Sequence, residues 1–161
     1  MAFTFIFAVD GVVQMARSIE RFAGDVKDVR PAWPGVLQIL RLASAERFRT
    51  AGAHGGQRWV PLSPRYAAYK ARRWPGRGIL VRTGALQDSL TQETGQSIVQ
   101  MHPLELRYGT KVPYAVFHQR GGRRLPRREV IHLAESDKLD VMREVQRYLV
   151  KRAKSAGLKV A

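Results

Sequence analysis

Between Phe48 and Leu90 the chain reads FRTAGAHGGQRWVPLSPRYAAYKARRWPGRGILVRTGALQDSL. This stretch limits the possible folds more than any other. Pro61, Pro64 and Pro75 each fix φ and remove a backbone donor, and clustered glycines open turns, so no long regular element can run through it. AGAHGGQ reads as a flexible loop with His54 at its tip. Ser63-Pro64 reads as the N-cap and first turn of a short helix through Arg73. Tyr66, Tyr69 and Lys70 share one side of that helix, and Arg65, Arg72 and Arg73 load it with positive charge. Trp74-Pro75-Gly76 ends it. Gly78 to Val81 reads as a short strand or an extended segment, and Thr83-Gly84 as a turn into a helical turn from Ala85 to Leu90.

The flanks carry regular patterns. Phe3, Phe5 and Phe7 alternate as in a strand, closed by Asp10-Gly11 with Asp10 as N-cap of a first helix. Val12, Met15, Ile19, Phe22 and Val26 form one helical stripe. Pro31 and Pro34 break it, and a second helix starting near Pro34 places Leu37, Leu40, Ser44, Phe48 and Ala51 on its stripe, with Gly52 ending it. A short proline-rich link predicts that the two helices pack as an αα-hairpin.

Downstream, Gln96–Met101 and Leu104–Gly109 predict a hairpin around His102-Pro103. Tyr114 to Gln119 reads as a short helix closed by Gly121-Gly122. Arg120 to Arg128 contains five arginines and no acid, and reads as a solvated loop. Val130 to Leu133 is a strand or an anchor into the core. Leu139, Met142, Val145, Leu149 and Ala153 mark a long last helix, with Glu135, Asp137 and Asp140 near its start and Lys151, Arg152 and Lys154 near its end, as the helix dipole favours. The expected class is α+β: a small, mostly antiparallel sheet packed against a few helices, including an N-terminal helix pair and a long C-terminal helix. A length of 161 residues fits one domain over 1–161.

Charge bounds the partners. With 28 Lys+Arg against 13 Asp+Glu the net charge is +15, which suits nucleic acid or an acidic protein surface as a neighbour. Each basic run has three readings: a face toward DNA, a pairing surface for acidic partners, or solvated charge. No zinc-finger spacing, basic zipper or RNP-like motif marks a sequence reader. The opening FTFIFAV is too short for a membrane span and lacks a basic n-region, so neither signal peptide nor transmembrane helix is expected.

Catalysis needs a constellation. The chain has no cysteine, which excludes thiolate chemistry and disulfides. His54, His102, His118 and His132 lack metal-ligand spacing, and Ser63 and Ser89 lack a nucleophile elbow. Asp25 with Asp28, and Asp140 with Glu144, fall on solvated helix faces. A small hydrolase or nuclease using His118 with Glu105 or Asp88 is the weakest of the functional readings. No enzyme, metal or cofactor is expected.

Three ordered motifs are more specific. Gly56-Gln57-Arg58-Trp59-Val60-Pro61-Leu62-Ser63-Pro64 precedes the basic helix; Ile79-Leu80-Val81-Arg82-Thr83-Gly84-Ala85-Leu86-Gln87-Asp88-Ser89-Leu90 comes after it; then come Tyr108-Gly109-Thr110-Lys111-Val112-Pro113-Tyr114-Ala115-Val116-Phe117-His118-Gln119 and Gly121-Gly122. In this order they resemble the Mu-like phage virion morphogenesis family over nearly the whole chain. One departure is visible: Leu125-Pro126-Arg127-Arg128-Glu129-Val130-Ile131 keeps Pro126 and Arg128 of a P-A-R-P-F-L-like segment but has Glu129 in place of the second proline.

The resemblance implies a non-enzymatic structural subunit, similar to tail-completion and neck proteins of tailed phages. It implies a homo-oligomeric, hexameric ring at the head-proximal end of the tail, contact with other neck, tail-terminator or connector proteins, and a central channel for genomic DNA. It also implies location in the virion after assembly in the host cytoplasm. Trp59, Pro61, Leu62, Pro64, Thr83, Gly84, Leu86, Tyr114 and His118 are the structural or interface candidates. Trp59, Leu62 and Leu86 read as core packing in preference to partner contact. Arg65, Lys70, Arg72, Arg73, Arg120, Arg123, Arg124, Arg127 and Arg128 are the candidates for meeting partners or DNA. The alternative is a non-specific DNA-binding module.

Overall fold

The computed structural model describes the backbone of residues 10–159 and the side chains of 14–159. The strand expected at Phe3–Phe7 and the capping side chain of Asp10 lie outside the described residues. Helix α1 spans Asp10–Val26, a 3-10 turn Arg30–Ala32 leads into α2 (Trp33–Arg49), and α3 (Pro64–Arg73) and α4 (Ala85–Thr91) come next. Strands β1 (Ser97–Met101) and β2 (Leu106–Thr110) precede α5 (Ala115–Arg120) and α6 (Glu135–Ser155). The class is α+β, with the long C-terminal helix where the apolar pattern puts it.

Strands β1 and β2 pair antiparallel, Val99 opposite Tyr108, and close through His102 N–H donating to the Glu105 carbonyl at 2.8 Å. Tyr108 carries the hairpin onto the helices. Its hydroxyl shares a hydrogen bond with Ser44 Oγ of α2 at 2.8 Å and donates to the Leu90 carbonyl at the end of α4. Around this joint lies the main core of Phe48, Trp59, Val81, Leu86, Leu90, Val112, Ala115 and Val130. A second core joins Val29, Trp33 and Val36 to Val141, Val145, Tyr148 and Leu149 of α6.

Six local expectations are corrected. The two N-terminal helices form, but α1 packs on α6 instead of lying along α2 as a hairpin. Arg21 donates to the Ala156 carbonyl at 3.2 Å, Arg152 pairs with Asp25, and among the described side chains of α1 the buried one is Ser18. Met15, Ile19 and Val26 of the expected stripe face outward. On α6 the packed stripe runs through Val141, Val145, Tyr148 and Leu149, leaving Leu139 and Met142 exposed, because Tyr148 packs as a large apolar body and donates its hydroxyl to the Asp28 carbonyl at 3.0 Å.

The segment 78–81 forms a turn, not a strand, with Leu80 at φ +62°. The 51–56 loop is tied down on several sides. His54 N–H reaches Thr50 Oγ1 at 3.0 Å, His54 Nε2 lies 2.8 Å from Asp137 Oδ2, and the Gly55 carbonyl meets His132 Nε2 at 2.6 Å. Arg47, only 1% exposed, donates to the carbonyls of Gly52, His54 and Glu129. Finally, Arg128 is buried, so the arginine-rich run is not solvated throughout. Val130 takes the anchoring option at 1% exposed.

Candidate functional site

The three motifs and the arginine-rich run, far apart in sequence, meet around one cavity. It starts from two inward cations. Arg128 donates to the carbonyls of Val60 at 2.8 Å and Pro61 at 3.1 Å, and its own N–H reaches the His118 carbonyl at 2.8 Å. Trp59 Nε1 donates to the Glu129 carbonyl at 2.8 Å. Gln119 then clamps the next residues: its Oε1 accepts the N–H groups of Val130 and Ile131 at 2.8 and 3.0 Å, and its Nε2 donates to the Ile131 carbonyl at 2.9 Å. A single amide side chain thus does the work of a short strand partner, satisfying backbone groups that no ladder reaches.

Helix α3 supplies the opposite wall. Pro64 sits in its first turn, but Ser63 makes no side-chain cap. Lys70 is buried and its Nζ donates to the Gly78 carbonyl, fixing the 78–81 turn. Burial pushes this ammonium below the usual lysine range. Tyr66, Tyr69 and Trp74 form an aromatic ladder with centroids 6.2 and 5.8 Å apart, and the Arg82 guanidinium lies 5.5 Å over Trp74.

Between these walls is a half-open cavity of about 670 Å³. Pro61, Leu62, Leu80, Leu125 and Pro126 give it apolar surface, and Tyr66 and Tyr114 line it with rings. Ser63, Lys70, Arg82, Arg124, Arg128 and His118 complete the lining. His118, on α5, packs edge-on to Tyr114 at 6.3 Å, and its Nδ1 is buried with no hydrogen-bond partner. Neither carboxylate suggested for a hydrolase joins it: Glu105 pairs with Arg107 at the hairpin, and Asp88 lies on α4 beside Gly84. The arrangement offers positive charge and shape, and among the described residues no hydrogen bond joins the Ser63 hydroxyl to His118.

Burial and the neighbouring Arg128 hold His118 below the usual imidazole range. The unfolded chain therefore takes up a proton where the fold does not. Stability from this group is complete above the ordinary histidine value of about 6.5 and falls as pH drops from there toward the lowered folded value. We expect the Tm to decline on going from about pH 7.5 to 5.5, and His118→Gln to flatten that decline. An unchanged slope in the variant would mean other groups govern it.

The remaining candidates divide by position. Trp59 and Leu86 are core residues, 2% and 1% exposed, and Leu62 is half-buried at the cavity. Gly84 takes φ +99° as the residue before α4, a conformation that side chains resist, and Thr83 Oγ1 accepts the Ala85 N–H at 3.4 Å. Arg65, Arg72, Arg73, Arg120, Arg123 and Arg124 are exposed, and Arg127 is exposed and paired with Glu129. Lys70 and Arg128 alone of the nine basic candidates turn inward. Sequence reasoning passed over Arg47 and gave Gln119 no separate role. Glu129, the departure from the expected proline pattern, is the hub: its carbonyl receives Arg47 and Trp59, and its carboxylate faces Arg47, Arg127 and His132.

The motif residues of this chain are spent on holding irregular segments together. Its match to a family model covers residues 11–150, and the chain belongs to the phage virion morphogenesis family. The match extends to the family and does not single out a Mu-like branch. That family is structural and not catalytic, and implies association with the virion. No curated protein and no solved structure matches the chain. Among the described residues no helix is long and apolar enough to cross a membrane.

Proposed function

We propose that this chain is a tail-completion or neck subunit that closes into a hexameric ring at the head-proximal end of the tail, around the channel for genomic DNA. Its partners are further copies of itself and neighbouring neck, tail-terminator or connector proteins, met after synthesis in the host cytoplasm. Membership of the family over 11–150 carries this reading. The outward stripe of α1 supports it: Met15 at 61% and Ile19 at 47% exposed form apolar surface of the kind that assemblies cover. Native mass measurement of the purified chain, with electron microscopy of particles, tests the proposal. The expected result is a closed oligomer that Ile19→Glu converts to monomer without lowering the Tm of the subunit. A strict monomer absent from mature particles would refute it.

A second reading has its own observation. Arg65, Arg72, Arg73, Arg120 and Arg123 are exposed, and none pairs with a carboxylate among the described residues. Such a surface suits duplex phosphates without base reading, with affinity falling steeply as salt rises.

A further inference from the structure

The cavity gathers more positive charge than the chain itself answers. Lys70 and Arg128 are 4% and 5% exposed, and Arg82 and Arg124 complete the cationic lining. Among the described residues no carboxylate lies within ion-pair distance of any of the four. The carbonyls of Gly78, Val60 and Pro61 solvate Lys70 and Arg128 without cancelling their charge. Buried cations without a counter-anion are costly to hold. The same wall carries Leu80 at φ +62°, a left-handed conformation that costs a branched aliphatic residue of order 1–3 kcal/mol. Two independent costs thus converge on one cavity.

We infer that this cavity receives an extended acidic segment of a partner protein, with a Glu or Asp carboxylate among the cations and its apolar neighbours against Leu62, Leu80 and Leu125. An anion from outside supplies the missing compensation. The apolar walls decide the rest. They offer nothing to a small inorganic anion, which leaves most of about 670 Å³ unfilled. A DNA duplex carries its phosphates on the outside of a stiff rod and cannot fold one into a half-enclosed space, whereas the exposed arginines of α3 lie on an open helix face. A peptide with alternating acidic and apolar side chains satisfies both surfaces.

The experiment uses the full chain at low salt, titrated calorimetrically with the capped peptides Ac-LELEL-NH2 and Ac-LQLQL-NH2 and with the single-stranded oligonucleotide (dT)8. The acidic peptide is expected to bind and raise the Tm by mass action. The glutamine peptide should bind at least about tenfold more weakly, as should the acidic peptide to Arg124→Glu. Arg72→Glu makes the same change in net charge outside the cavity and should leave binding within about twofold. Both arginines are exposed, and matching Tm values will show that the variants fold. Equal binding of the two peptides, no binding of either, or equal weakening by the two variants would overturn the inference. So would (dT)8 binding more tightly than the acidic peptide with the same dependence on Arg124. The titration needs only the isolated chain, so failure here and failure of the ring are read from different measurements.

Discussion

Replacing Arg47 by methionine is expected to cost about 3–5 kcal/mol, a large share of the roughly 5–15 kcal/mol that holds a typical domain folded. Arg47 is 1% exposed and lies at the end of α2, where Ala51 and Gly52 turn the chain with φ +49° and +88°. Its Nη1 donates to the Gly52 and His54 carbonyls at 3.0 and 2.7 Å, and its Nε to the Glu129 carbonyl at 2.7 Å. Methionine keeps much of the volume but leaves two loop carbonyls without these donors, at about 1–3 kcal/mol for each one buried. Burial pushes the guanidinium below the usual arginine range, and Glu129 opposes that push. The net gain therefore comes chiefly from the fork of donors. Arg47→Lys should recover less than half of the loss, since one ammonium cannot span both sides. Urea denaturation followed by circular dichroism measures both. Hydrogen exchange should accelerate in the 51–56 loop before elsewhere. A midpoint unchanged in Arg47→Met would show that the loop's other hydrogen bonds, those of His54 and His132 among them, suffice to hold it.

This arginine also shows where sequence reading stops. Prolines and glycines announce their consequences locally: Pro64 opens α3, Gly121 at φ +72° closes α5, and the β1–β2 hairpin arises from alternation. Charge does not announce its direction. Arg47, Lys70 and Arg128 sit in arginine-rich or lysine-bearing runs like their exposed neighbours, and they turn inward because irregular segments leave carbonyls that no helix or ladder satisfies. That need exists only once the chain is folded. The cavity is hidden for the same reason: Arg128 meets Val60 and Pro61 across 68 and 67 residues. Helical periodicity likewise shows that α1 has an apolar face without showing what covers it. The stripe on α6 is misplaced because Tyr148, left out of an aliphatic count, packs beside Val141 and turns the covered face away from Leu139 and Met142.

Truncating Trp59 to alanine should destabilise the chain by about 3–5 kcal/mol, the range for a large aromatic removed from a core. Trp59 is 2% exposed and meets Phe48 edge to face at 5.4 Å and 80°. A Cβ on Gly52 would collide with its Cδ1, so the indole is packed directly against the turn that Arg47 holds. Its Nε1 and the Arg47 Nε donate to the same acceptor, the Glu129 carbonyl. Trp59→Phe separates packing from this hydrogen bond, and should cost only about 1–2 kcal/mol because Arg47 still reaches the oxygen. Combined with Arg47→Met it removes the last donor, so the double variant should lose about 0.5–2 kcal/mol more than the two singles together. The sign of that coupling decides the arrangement. Additive losses would mean that the two side chains act on separate parts of the fold. A larger combined loss means that Glu129, at the position where the sequence departs from a proline, joins the 51–56 loop, the Trp59 segment and the wall of the basic cavity into one cooperative unit.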